Sequence, residues 1–463
     1  MERVLRFFRE ISKIPRGSGN TDKISEYCVS FAEKRGLNAY RDEFNNVIIR
    51  KPASKGYEGA EPVMLQAHLD MVCEAERGKE INFLTDPIEL IEQDGILKAN
   101  GTTLGADDGI GVAMILAVLD SDTILHPEIE AVFTTDEETG MDGALGIDLS
   151  KLKAKRLINL DSETEDTLTV SCAGGVLAEC VLPLKKTVGE GKYYKISVDG
   201  LVGGHSGTDI DKGFANAILI IGRLLHALGD CSLCRIQGGD KHNCIPTSAY
   251  AVIKCDFVPF DIIKKQAAVI KKELKSCDNG INIVCAETEG AYNDYESKTA
   301  DFLMAVPNGV ISMSPDISGL VRTSLNLATI KTESDLLKTE FFIRSSSESE
   351  KEYLKNRLSV IVRLFGGKIT FGGEYPAWEY NRNSELRWLM ENTFFDMFGY
   401  MPKVEAIHAG LECGIFCGKI KGLDCVSVCP DIKEIHTPRE HMELKSLHKA
   451  WKYFIEVLKR MEK

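Results

Sequence analysis

The sequence predicts an α/β fold in which a mixed sheet flanked by helices forms one domain and an α+β domain is inserted into it. Three observations lead to this prediction. Short apolar strands alternate with helices in the first part of the chain. From about residue 175 the strands alternate between polar and apolar residues, as antiparallel strands do. After residue 374 helices and strands alternate again.

A chain of 463 residues is too long for a single core. We predict a catalytic domain from residues 1–174 and 375–463, with a lid domain at 175–374 between them. The order strand, strand, helix, strand occurs twice in the lid, which predicts two similar lobes at about 175–290 and 291–374.

Charge and composition exclude several classes of partner. The net charge of −13 would repel a phosphate backbone and an anionic membrane surface, so we expect neither nucleic acid nor membrane as a partner. The first residues carry mixed charges without a long apolar run, unlike a signal peptide. The 14 scattered cysteines are typical of reduced thiols. We therefore expect a cytoplasmic protein.

The first elements lead to a histidine and an acid. Residues 1–34 predict two helices separated by the sequence PRGSGN, and apolar strands follow at 47–49 and 63–65. His68 and Asp70 come just after the second of these strands. On an extended chain their side chains lie on one face, which suits a metal ligand and its orienting partner. A surface pair or a helix cap is the alternative.

A glycine-rich loop with two adjacent acids comes next. Asp107 and Asp108 lie in the sequence NGTTLGADDGIG, which leads directly into an apolar helix at 112–119. The acids would repel a phosphate, so a divalent cation fits this loop better. Ordinary capping of the helix by either acid is the alternative.

Two further apolar strands end in acids. The strand at 129–135 leads into Asp136, Glu137 and Glu138, and the next strand ends at Asp161. Because sites in open α/β sheets lie at the carboxyl ends of the strands, we expect these acids to meet His68. One carboxylate can bind a metal while its neighbour shuttles a proton. A solvated turn is the alternative.

Other polar residues stand out later in the chain. His205 lies in a glycine-rich loop, and Asn243 lies in another loop. Arg344 follows an apolar strand and offers a fork for a carboxylate, although a surface salt bridge is the commoner fate of an arginine. His436 precedes a proline, and a site that joins it to His68 requires both chain ends in one domain.

Taken together, the motifs resemble the superfamily of dinuclear zinc exopeptidases, and within it the bacterial branch that cleaves Xaa-His dipeptides. The resemblance covers essentially the whole chain. It rests on QAHLDMV at 66–72, TLGADDGIG at 103–111, DEETGMDG at 136–143, NLDSE at 159–163, GGHSG at 203–207, HAGLECG at 408–414 and HTP at 436–438. Related exopeptidases often have lysine where this chain has Gly109, and glycine agrees with the Xaa-His branch.

The resemblance implies a role for each site residue. One metal would be held by His68 and Asp161, a second by Glu138 and His436, and Asp107 would bridge the two. The catalytic residues would be Asp70, which orients His68, Glu137 as general base for the water between the metals, and His205, which stabilises the oxyanion from the lid or across a dimer. The substrate would contact Asn243, Arg344, His408 and Gly410.

The implied function is hydrolysis of dipeptides such as β-alanyl-histidine, with two divalent ions as cofactors. Zinc suits these ligands best, with manganese or cobalt as alternatives. The resemblance leaves open whether the lid forms a homodimer. A related amidohydrolase or aminoacylase would have the same metal ligands, and a binding protein without activity would not need Glu137.

Overall fold

The computed structural model describes residues 1–188, 190–296 and 298–462, and it contains two compact units. The first unit comprises Met1–Ser171, Tyr380–Ala406 and Leu411–Lys463, so both ends of the chain contribute to it. The second unit comprises Cys172–Glu379 and Ile407–Gly410. Within the described ranges, the helices are all too short or too polar to cross a membrane.

The helices of the described residues include the two predicted within residues 1–34 and one that contains the apolar helix predicted at 112–119. In chain order they are α1 (Glu2–Ile11), α2 (Asp22–Glu33), α3 (Ala106–Leu119), α4 (Asp142–Gly146), α5 (Ala217–Leu228), α6 (Phe260–Glu273), α7 (Lys298–Ala305), α8 (Glu348–Leu364), α9 (Glu385–Phe398), α10 (Glu412–Lys419) and α11 (Leu444–Arg460).

The strands divide between the two units and form separate sheets. In chain order they are β1 (Asn38–Arg41), β2 (Val47–Lys51), β3 (Val63–His68), β4 (Leu90–Gln93), β5 (Ile96–Ala99), β6 (Ile129–Thr134), β7 (Arg156–Asn159), β8 (Thr167–Cys172), β9 (Gly174–Pro183), β10 (Lys186–Thr187), β11 (Lys192–Asp199), β12 (Gly204–His205), β13 (Ser232–Gly238), β14 (Cys244–Ile245), β15 (Ala249–Cys255), β16 (Asn282–Thr288), β17 (Asp294–Tyr295), β18 (Gly309–Met313), β19 (Val321–Glu333), β20 (Leu336–Ser345), β21 (Lys368–Tyr375), β22 (Lys403–Ile407), β23 (Asp424–Ser427), β24 (Ile432–Lys433) and β25 (His441–Glu443).

The main sheet of the first unit is mixed, with the strand order β1-β2-β6-β3-β7-β23-β8-β22. Its centre is parallel, because β3 pairs in parallel with both β6 and β7, and β7 pairs in parallel with β23. Every residue of β3 and β6 is buried. Strands buried on both faces are rich in apolar residues, which is why the sequence pattern predicts them well.

This topology brings the predicted acids to one edge of the sheet. His68 is the last residue of β3, Glu137 follows β6, and Asp161 follows β7. The carboxyl ends of parallel neighbours lie side by side, so the residues after these strands meet. Asp107 reaches the same edge from the first turn of α3, which packs against β3.

A small four-stranded sheet in the first unit connects distant parts of the chain. Its order is β24-β25-β5-β4, and β25 pairs with β5 so that His441 lies opposite Lys98. The residues around His436, between β24 and β25, are thereby held beside the loop that leads into α3.

The main sheet of the second unit consists of two halves with the same arrangement. Its central path is β16-β11-β15-β13-β19-β20-β9-β21, with β13 and β19 joining the halves. Each half has four strands, and a helix, α6 or α8, lies in sequence between its last two strands. However, β9 comes before residue 290 in the chain but pairs with β20 and β21 of the other half. A boundary at residue 290 between the two predicted lobes therefore does not separate the halves.

Candidate metal centre

His68 lies within a cluster of acidic side chains in the first unit. It is almost fully buried, and its Nε2 lies 3.0 Å from Asp107 Oδ1 and 3.6 Å from Asp161 Oδ1. On the other side of the ring, Nδ1 lies 3.2 Å from the backbone carbonyl oxygen of Asp70 and 3.4 Å from its carboxylate. One ring nitrogen therefore faces the acids while the other is held in place, which is the usual arrangement of a metal-binding histidine.

His436 approaches the same cluster from the end of the chain. Its Nε2 lies 3.2 Å from Asp107 Oδ2 and 2.9 Å from Glu138 Oε2. The two oxygens of Asp107 thus face two different imidazoles. His68, Asp107 and Asp161 form one group whose ligand atoms lie within 4.8 Å of one another, and Asp107, Glu138 and His436 form a second. The shared carboxylate suits two neighbouring ions.

The pKa values of several residues in this cluster are shifted because acidic side chains lie close together in a buried place. Burial raises the pKa of Asp161 to about 7 and raises the pKa of Glu137 well above its ordinary value. Hydrogen bonds with Asp107 and Glu138 raise the pKa of His436 to about 11. Burial opposes ionisation of Asp107, but hydrogen bonds from both histidines hold its pKa low. Divalent cations would relieve this repulsion, so carboxylate and imidazole ligands at this spacing fit them.

Asp70 organises the residues around His68. It is fully buried, and its carboxylate accepts hydrogen bonds from Ser18 Oγ at 2.8 Å, from the backbone N–H of Glu137 at 3.1 Å and from that of Glu138 at 3.3 Å. The same side chain therefore contacts the imidazole and fixes the turn that carries two acids. Glu137, Glu138 and His68 form a further group of close ligand atoms.

His205, Arg344 and His408 form a second polar cluster, in the second unit. Arg344 Nη2 lies 3.3 Å from His205 Nε2, and Arg344 Nη1 donates to Tyr375 Oη at 3.0 Å. His408 Nε2 lies 2.7 Å from Ser324 Oγ. Burial and the nearby Arg344 lower the pKa of His408 to about 3 and that of His205 to about 4, so both rings are neutral.

The hydrogen bonds of His205 leave two donors facing each other. Its Nδ1 accepts from the backbone N–H groups of Gly207 and Thr208, at 3.3 and 3.2 Å. The ring proton therefore lies on Nε2, which faces a guanidinium nitrogen of Arg344. Arg344 Nε is also buried and has no hydrogen-bond partner among the described residues. An acceptor between these groups, such as a carboxylate, would satisfy them.

Close packing explains the glycines around this cluster. A Cβ atom on Gly207 would lie 2.3 Å from the His408 carbonyl oxygen and 3.1 Å from Arg344 Nε. A Cβ atom on Gly410 would lie 2.8 Å from the ring of Tyr375. Asn243 lies beside the cluster, where its carbonyl oxygen accepts from the backbone N–H of Ser206 at 2.8 Å.

Comparison with known proteins identifies the family. The model of Peptidase family M20/M25/M40 matches residues 64–460. The chain belongs to this family. The predicted family and the prediction of a peptide-hydrolysing enzyme are therefore confirmed.

Two relatives support this membership of the family, and a third solved structure shares the fold. The chain is 36% identical to the "Cytosol non-specific dipeptidase" of Escherichia coli, over 98% of this chain and 96% of that protein. The crystal structure of the "Aminoacylhistidine Dipeptidase" of Vibrio alginolyticus matches with a TM-score of 0.91 and 34% identity, covering 99% of this chain and 96% of that one. An aminopeptidase of Bacillus cereus, 16% identical, shares the fold with a TM-score of 0.61 over 100% and 99% of the chains. The predicted α/β fold of zinc-exopeptidase type is confirmed.

The sequence patterns do not reveal a buried network beneath the acids of this M20 family member. Glu412 Oε2 accepts from Gln66 Nε2 at 2.5 Å and from Thr134 Oγ1 at 2.6 Å. Gln66 Oε1 in turn accepts from Asn159 Nδ2 at 2.6 Å. These residues connect β6, β3 and β7 just before the site. Glu412 is part of the HAGLECG motif, but only the fold shows that it is buried.

Proposed function

We propose that the chain is a metal-dependent dipeptidase, and that its substrates include Xaa-His dipeptides such as β-alanyl-histidine. The observation that carries the proposal is the pair of ligand groups that share Asp107. The names of the Escherichia coli and Vibrio relatives, a dipeptidase and an aminoacylhistidine dipeptidase, support the substrate class.

Five residues would hold two divalent ions. We assign His68 and Asp161 to one ion, Glu138 and His436 to the other, and Asp107 to both. Against two divalent cations, three carboxylates leave a single net positive charge, which favours a developing oxyanion. The mixed nitrogen and oxygen ligands suit zinc, with manganese or cobalt as alternatives. When bound, the ions polarise the peptide carbonyl and lower the pKa of water.

Glu137 is the general base in this proposal. It takes a proton from the attacking water and returns it to the leaving amine, so one carboxylate serves both halves of the reaction. Its backbone N–H is fixed by Asp70, which limits the positions that the carboxylate can adopt. Asp70 also orients His68 through Nδ1, which leaves Nε2 free to bind metal.

The polar cluster of the second unit would bind the charged parts of the substrate. Arg344 binds the substrate carboxylate. The pocket for this carboxylate is also lined by Asn243, His408 and Gly410. His205 donates from Nε2 to the oxyanion, either in the same chain or across a dimer. The facing donors of His205 and Arg344 support these roles, because an anion would satisfy both.

Hydrolysis of a dipeptide panel by purified protein tests this function. We expect cleavage of β-alanyl-histidine that is lost with a chelator and restored by Zn²⁺. Glu137→Gln should lower kcat by at least about 10²-fold because it removes the base, while both ions still bind. Unchanged turnover in Glu137→Gln would remove this residue from the role of base. Faster cleavage of N-acetylated amino acids than of dipeptides would instead indicate an aminoacylase.

We also propose that the protein acts in the cytoplasm. The name of the Escherichia coli relative supports this location, and so does the lack of disulfide bonds among the cysteines of the described residues. A homodimer formed through the second unit stays a prediction, which light scattering of the purified protein would test.

A further inference from the structure

Glu440 is a buried carboxylate of the first unit that the proposed reaction does not use. Only 2% of its surface is exposed. Its Oε2 accepts from the backbone N–H groups of Leu104 at 2.8 Å and Gly105 at 3.0 Å. Its Oε1 accepts from those of Ala106 at 2.7 Å and Asp107 at 3.3 Å. Four successive backbone donors therefore converge on one side chain.

Two of these donors, Ala106 and Asp107, lie in the first turn of α3, and the other two, Leu104 and Gly105, lie just before it. A carboxylate there is favoured by the helix dipole and by charge-assisted hydrogen bonds. All four hydrogen bonds to the Glu440 carboxylate come from backbone N–H donors, so the ionised form satisfies all four, whereas burying an unpaired charge would be costly. The carboxylate thus fixes the backbone of Asp107, the residue shared by both ligand groups.

Arg16 holds the other side of the same turn. It is buried, and its Nη1 donates to the carbonyl oxygens of Leu69 at 2.8 Å and Asp70 at 2.9 Å, while Nη2 donates to that of Gly105. A Cβ atom on Gly109 would lie 2.3 Å from Nη2. The glycine at 109 therefore leaves room for this guanidinium.

Glu440 also anchors the segment that carries His436. The backbone N–H of Glu440 donates to the Thr437 carbonyl oxygen at 3.0 Å, and Thr437 Oγ1 donates to that of Glu434 at 2.7 Å. The side chain of His436 is 46% exposed, and its φ of +59° is unusual for a non-glycine residue. Because nearly half of this side chain is exposed, its position depends on this turn as well as on its contacts with Asp107 and Glu138.

We propose that Glu440 is a positioning residue that aligns Asp107 with His436 and thereby sets the affinity of the ligand group Asp107, Glu138 and His436. The inference rests on the proposed metal-dependent function. His68 and Asp161 extend directly from strands of the main sheet, so their group depends less on Glu440. Loss of Glu440 should weaken one ion much more than the other.

Glu440→Gln is the sharpest test, because it keeps the size of the side chain. The amide has only one acceptor oxygen, and its NH₂ group would face N–H donors. Metal-free protein is titrated with Zn²⁺ by calorimetry and with Co²⁺ by visible absorption. His436→Ala and Asp161→Asn serve as references that each remove one binding event. Glu130→Gln is the matched control, since Glu130 is buried and accepts from the backbone N–H groups of Lys153 and Ala154.

We expect wild type to bind two ions and Glu440→Gln to reproduce the Co²⁺ spectrum of His436→Ala. The affinity of that ion should fall by about 10–100-fold, while the other stays within about threefold. High Zn²⁺ should restore kcat in Glu440→Gln. Glu130→Gln should lower the melting temperature and leave both affinities unchanged.

Other results would overturn the inference. Wild-type affinities in Glu440→Gln, or equal weakening of both ions, would show that Glu440 has no selective role. Those results would leave the proposed function standing, provided that wild type binds two ions. If wild type binds fewer than two ions, or if His436→Ala keeps both, the proposed metal site fails and the inference fails with it.

Discussion

At the scale of single residues, His408 shows how burial sets the state of an ionisable group. It is 6% exposed and close to Arg344, and both burial and that positive charge disfavour the imidazolium. Its Nε2 lies 2.7 Å from Ser324 Oγ, so the neutral ring is held by a hydrogen bond. The proposed substrate pocket thus contains a histidine that stays neutral throughout the physiological pH range.

This state predicts a pH-dependent stability. The pKa of His408 is lowered to about 3 in the folded protein, against about 6.5 for an ordinary histidine. The unfolded chain therefore binds the proton more tightly than the folded protein does. The contribution of the neutral His408 to stability is complete above pH 6.5 and is lost as the pH falls toward 3. Between pH 7 and 5, wild type should lose about 1–2 kcal/mol more of its free energy of unfolding than His408→Gln does. Urea denaturation of metal-free protein at both pH values measures the difference, and parallel losses would contradict it.

At the scale of elements, three parallel strands and one helix share a buried polar network. Thr134 of β6, Gln66 of β3 and Asn159 of β7 are linked by side chains, and Glu412 of α10 completes the set. Each of the three strands continues into a proposed ligand or base. The network therefore sets the spacing of the strand ends from which the site is built.

Glu412 should behave as a neutral acid in this network. Burial raises its pKa to about 8, so glutamine resembles its form at pH 7. We expect Glu412→Gln to unfold within about 1 kcal/mol of wild type, because the acceptor for Gln66 and Thr134 remains. Glu412→Ala should be less stable by about 2–4 kcal/mol, since it leaves a cavity and unpaired donors. Urea denaturation of the metal-free variants compares them, and equal destabilisation by both changes would show that Glu412 is ionised.

Elements with strong local patterns could be predicted from sequence. The apolar strands β3, β6 and β7 and the acids after them were all expected. The sequence pattern did not predict the position of β9 in its sheet. This strand is ten residues long and lies between β20 and β21, which are far from it in sequence. Pairing across such distances leaves no local signal, so its place in the second half of the sheet could not be foreseen.

The same limit applies to residues of the candidate site. His68 and the acids follow apolar strands, and that position made them candidates. Glu440 had no such signal, because its partner Asp107 lies 333 positions earlier in the chain. Tyr375 and Ser324, which contact Arg344 and His408, are also ordinary residues in sequence. Only the fold shows which polar side chains meet.

At the scale of the whole molecule, the proposed ligands all lie in the first unit although they come from both chain ends. The position of a residue along the chain therefore does not show by itself whether ion binding stabilises the structure around it. The second unit has its own buried core, which includes Ile196, Leu224 and Phe341. Ion binding should act on the unit that contains the ligands.

Hydrogen exchange of the full chain with and without Zn²⁺ tests this expectation. Removing the ions leaves the repulsion among the acids around Asp107 without a balancing cation, so the first unit should open more often. At Zn²⁺ concentrations about 1,000-fold above Kd, binding stabilises the unit that holds the ions by about 4 kcal/mol. Peptides covering residues 66–70, 104–108 and 434–440 should gain the most protection, and peptides within 192–288 should change little. The variant His436→Ala serves as control and should show a smaller gain at 434–440. Equal protection of both units would contradict the assignment, because the effect of the ions would then not be confined to the unit that contains their ligands.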